Sequence, residues 1–112
     1  MIEQEKRRQY SEQALTMAKD LFAETKEYVQ KTRELYPPTD ENRNQFWQRA
    51  YLADSSARNV GNALDLASNL DGSCNKDERE ELVDLLTELS KEIRKICEDV
   101  RGKEILGGRN AG

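Results

Sequence analysis

Five side chains in the middle of the sequence, Arg43, Trp47, Tyr51, Asp54 and Arg58, follow one another at spacings of four, four, three and four. On a helix, that spacing puts them on one face. Indole and phenol rings stack on planar groups, and guanidinium groups clamp phosphate or carboxylate. Trp, Tyr and Arg are also the residues that dominate protein–protein hot spots. The stripe therefore suits two occupants, a small planar anion such as a nucleotide, or a protein surface. A third assignment leaves the rings structural, covering the end of an apolar core with their polar tips in water.

Other chemistries find less support. The chain has no His, which excludes Ser-His and Cys-His catalysis and any His-ligated metal. Carboxylates recur at helical spacing in Glu24/Glu27, Glu78/Glu81 and Glu81/Asp84, yet they sit among other charges and read as a solvated surface. Cys74 precedes a helix start, where a thiol pKa falls, but no base accompanies it. No Gly-rich phosphate loop is present. The sequence thus predicts no enzyme, no metal site and no cofactor. Lys6, Arg7 and Arg8, with Arg109, offer a basic cluster for nucleic acid, but Glu3, Glu5 and Glu12 flank it and the net charge is −4. Nucleic-acid binding ranks below the other readings.

The elements that carry the stripe follow from apolar periodicity. Helix 1 is expected over about residues 3–35, with Leu15, Ala18, Phe22, Thr25, Val29, Thr32 and Tyr36 as its seam. Helix 2 is expected over about 40–69, capped by Thr39, with the seam Phe46, Ala50, Ala53, Ala57, Val60, Leu64 and Ala67. Small seam residues predict a close approach to a neighbouring helix, and Gly61 suggests a tight crossing. Helix 3 is expected over about 76–101, with Asn75 and Glu78 as a capping box and Leu82, Leu86, Leu89, Ile93, Ile96 and Val100 inside. Tyr36-Pro37-Pro38 and Asp71-Gly72 break the chain between them.

These segments predict an all-α fold, an antiparallel up-down-up three-helix bundle spanning residues 1–101 and about 40–45 Å long. From Gly102 the chain is read as a flexible tail, because residues 107–112 are Gly-rich.

At 112 residues the chain suits one domain. Its mean hydropathy of −0.96 includes no apolar run long enough to span a bilayer, and its start resembles no signal peptide. Cys74 and Cys97 lie about 33 Å apart on helical geometry, too far for an intrachain disulfide. Two free thiols fit a cytoplasmic protein. The expected function is a non-enzymatic helical interaction module: a small regulator, inhibitor, chaperone or accessory subunit, binding another protein or itself. The alternative is an oligomeric bundle that sequesters a nucleotide or other small anion.

Overall fold

The structure, a computed structural model, describes residues 2–111, with side chains from Glu3 to Leu106. It contains three α-helices, α1 (Ile2–Glu34), α2 (Arg43–Leu70) and α3 (Lys76–Ala111), and no strand among the described residues. None of these helices is long and apolar enough to cross a membrane.

Contacts fix the up-down-up order. Arg7, near the start of α1, donates from Nε to the Leu70 carbonyl at the end of α2 (2.9 Å). Lys19 and Arg33 of α1 pair in sequence order with Glu78 and Glu92 of α3. Trp47, early in α2, meets Glu104, late in α3. So α1 and α3 run parallel, with α2 antiparallel to both.

The helices are not equally close. α1 and α2 touch along most of their length, whereas α3 stands further off. The seam residues explain this. All seven predicted positions of α2 are buried, and most are Ala. They face Ser11, Ala14, Ala18, Thr25 and Thr32 of α1, likewise small and buried. Small side chains let helix axes approach, while the Leu and Ile residues of α3 hold it away.

The hydroxyls in this seam are all satisfied. Ser11 donates to the Ala67 carbonyl (2.8 Å), Thr32 to Tyr28 (2.8 Å), and Thr25 and Ser56 share a hydrogen bond across the interface. Among the described residues no buried side-chain polar atom lacks a partner.

Several sequence expectations need correction. Thr39 and Asn42 exchange hydrogen bonds, Asn42 N–H to Thr39 Oγ1 (3.3 Å) and Thr39 N–H to Asn42 Oδ1 (2.8 Å). This holds residues 40–42 as a turn, so regular α2 starts at Arg43 rather than at 40. Asn75 forms no capping box. It adopts a left-handed backbone (φ 51°), and Glu78 pairs with Lys19 instead (2.9 Å). Tyr36, expected in the seam, is exposed at the end of the bundle.

The largest difference is at the C-terminus. α3 does not stop at Arg101 but continues as helix to Ala111, past the boundary expected at Gly102. Gly102 by itself costs only about 1 kcal/mol in a helix. The next turn is anchored, since Glu104 accepts hydrogen bonds from α2 and Lys103 pairs with Asp99 (3.1 Å). Gly112 lies outside the described residues. With this extension and the offset of the helix ends, the molecule is 68 Å long, well beyond the expected 40–45 Å.

One polar cluster ties the end of α1 to α3. The Tyr36 hydroxyl donates to Asp99, which also pairs with Lys103. The Tyr36 hydrogen bond, then Lys103, hold the Asp99 carboxyl below the usual carboxylate range, while Asp99 holds Tyr36 above the usual phenol range. A lowered carboxyl pKa stabilises the fold above its unfolded pKa and loses that contribution as pH falls through the folded value. The raised Tyr36 pKa works oppositely, its contribution fading as pH rises through the folded value. The tie is therefore strongest between the carboxylate and phenol ranges. A melting-temperature series against pH should decline at both extremes, and Asp99→Asn should flatten both limbs.

Candidate functional site

The site grows from the standoff between α2 and α3. Ala50 and Ala57 reach only a short way toward α3, and Ile93 and Cys97 cannot fill the space alone. An open groove of about 680 Å³ remains between the two helices. Trp47, Tyr51, Asp54 and Arg58 line it from α2, and Arg94, Cys97, Glu98 and Arg101 from α3.

Four of the five stripe residues thus share one surface, each in a different setting. Trp47 is half-buried, its ring packed edge-on against Phe46 with centroids 5.0 Å apart. The Arg101 guanidinium lies over the indole, 5.3 Å from the ring centroid. Tyr51 is 71% exposed, the most exposed large apolar side chain among the described residues. Arg58 pairs with Asp54 one turn back (2.8 Å).

Arg43 stands apart. It is held between Asp40 (2.9 Å) and Glu104 (3.1 Å), beyond the end of the groove. Glu104 also accepts from the Trp47 indole N–H (3.4 Å). Arg43 therefore secures the C-terminal part of α3 and does not line the groove.

Sequence reading of the stripe missed the α3 side: Arg94, Cys97 and Arg101. The signal was present, because a short α2–α3 connection pairs positions whose numbers sum to nearly a constant. Trp47 opposite Arg101 and Arg43 opposite Glu104 obey that register. Burial pushes the Cys97 thiol above its ordinary pKa, with Arg101 only partly offsetting this. A thiol so shifted holds less of the nucleophilic thiolate at neutral pH.

The other candidates are dispersed. Arg7 donates to the Asn69 and Leu70 carbonyls at the end of α2, and Arg8 pairs with Glu12 (3.4 Å). The Arg109 side chain lies outside the described residues. Glu78 and Glu27 pair with Lys19 and Lys31. Among the described residues no three His, Cys, Asp or Glu converge to hold a metal ion. Cys74 is buried in the α2–α3 turn. Comparison with known protein families, with characterised proteins and with solved structures found no match for this chain.

Proposed function

We propose that this protein is a non-enzymatic, cytoplasmic interaction module whose docking surface is the α2–α3 groove. The observation that carries this reading is an exposed Tyr51 beside a half-buried Trp47, with Arg58, Arg94 and Arg101 around them. Interface hot spots have this make-up: aromatic anchors near the centre and Arg beside them.

The small-anion alternative draws support from the groove's volume, which falls within the range of small-molecule sites. Arg101 already covers a face of the indole, however, and Asp54 neutralises Arg58. A planar anion would have to displace the first and compete with the second. A protein surface need do neither, so it is the favoured occupant.

A photo-crosslinking side chain in place of Tyr51 tests the proposal in cells that produce the protein natively. Ultraviolet light should yield a discrete adduct of defined mass, whereas the same side chain at exposed Glu24 on α1 should not. The absence of any protein adduct from position 51 would overturn it.

A further inference from the structure

Along the stripe, the residues after Arg58 are Gly61 and Asp65, at spacings of three and four. They carry the α2–α3 seam beyond the groove to a second depression, where Asp65, Glu80 and Asp84 surround Val83 and the buried Arg79. The seam therefore has a basic end, where Arg94 and Arg101 outnumber Glu98 and Arg58 is held by Asp54, and an acidic end, where Asp65, Glu80 and Asp84 outnumber Arg79. Arg94 and Arg101, and likewise Asp65, Glu80 and Asp84, have no ion-pair partner among the described residues. Arg94 and Glu80 are about 21 Å apart along α3, so they cannot satisfy each other within one chain.

Gly61 lies between the two ends. The expected tight crossing is absent: a Cβ built there would meet nothing within 4 Å. Nothing in the bundle's own packing requires glycine at this mid-helix position, where it costs about 1 kcal/mol against Ala. By the register of Trp47 with Arg101, Thr87 of α3 is level with Gly61. The seam is thus lowest at its centre and oppositely charged at its ends.

The geometry points to a second copy of this chain as the occupant of the seam. It would lie antiparallel, with a two-fold axis passing near Gly61. This rests on the interaction reading above and names its partner. A two-fold contact requires a self-complementary surface, in which residue i meets j and j meets i. Reversal about Gly61, which lies level with Thr87 of α3, lays each acidic end over the other copy's basic end, so Glu80 and Arg94 meet twice. It also carries Tyr51 to the level of the second copy's Asp71, at the far edge of the acidic end. The missing side chain of Gly61 lets the two α2 helices approach closely at the axis.

Sedimentation analysis from micromolar to millimolar protein, at low and high salt, tests the inference. A closed dimer with no larger species is expected, weakening as salt rises. Glu80→Arg and Arg94→Glu should each weaken it by about tenfold or more, and the double reversal should restore most of the affinity. Gly61→Glu should abolish the dimer while leaving the monomer's melting temperature unchanged or higher. A monomer at millimolar concentration and low salt overturns the inference, as does a dimer indifferent to all four variants, or open-ended association. The Tyr51 crosslink separates the two failures. An adduct with a different protein or helix overturns only the second copy, whereas no adduct at all removes the docking surface itself.

Discussion

Replacing Phe46 with Ala should lower the unfolding free energy by about 3–5 kcal/mol, the range for a large buried aromatic. Phe46 is 0% exposed and heads the fully buried side chains by volume. It sits at the start of α2, where its N–H donates to the Asn42 carbonyl (2.8 Å), and it braces Trp47 edge-on. Truncation would remove the ring and loosen the wall of the groove together. In thermal melts the midpoint should fall by on the order of 15 °C. Tyr51→Ala, on the same helix but exposed, should change stability by no more than about 0.5 kcal/mol. Trp47→Ala should fall between the two, because that ring is half-buried. A loss below about 1 kcal/mol for Phe46→Ala would mean that the start of α2 is not packed as described.

The second large effect is expected at Arg79, only 8% exposed. Its Nε donates to the Cys74 carbonyl (3.1 Å) and its Nη2 to the Gly72 carbonyl (2.6 Å), so one guanidinium ties the α2–α3 turn to α3. Arg79→Met keeps an apolar stem but leaves both carbonyls without that donor. The expected loss is about 2–3 kcal/mol, since hydrogen bonds to charged groups are worth more than neutral ones. Arg79→Lys should recover only part of it, because one ammonium on a flexible stem does not reproduce the planar fork. Denaturant titration of the three proteins checks both figures. Equal stability of the Met variant and the parent would show that the turn holds without this tie.

These two residues also mark how far the sequence could be read. Phe46 opens a seam of fours and threes whose seven members are all buried, because a strong apolar period leaves a helix only one face to bury. Arg79 gave no such sign. It lies in a run of charges, and its partners are backbone carbonyls of a turn that exists only once the chain has folded. Ser11 escaped for the same reason, being accounted for by the Ala67 carbonyl on the facing helix. At Gly102, local propensity argued for a break, and contacts from Arg43 and Trp47 to Glu104 overrode it. The α2 half of the groove was legible as a stripe. The α3 half needed the register between helices, which a single-helix pattern does not contain.

The unequal spacing of the helices has a thermal consequence. Alanine gives up no rotamer freedom on burial, and short hydroxyl side chains give up little, so the α1–α2 hairpin is ordered at small side-chain entropy loss. The long aliphatic side chains of α3 wet much more apolar area per residue when they leave the core. The heat-capacity increment of unfolding scales with that area. Release of α3 therefore contributes to that increment through Leu82, Ile93 and Val100, while opening of the hairpin itself adds Leu15, Val29, Phe46, Val60 and Leu64.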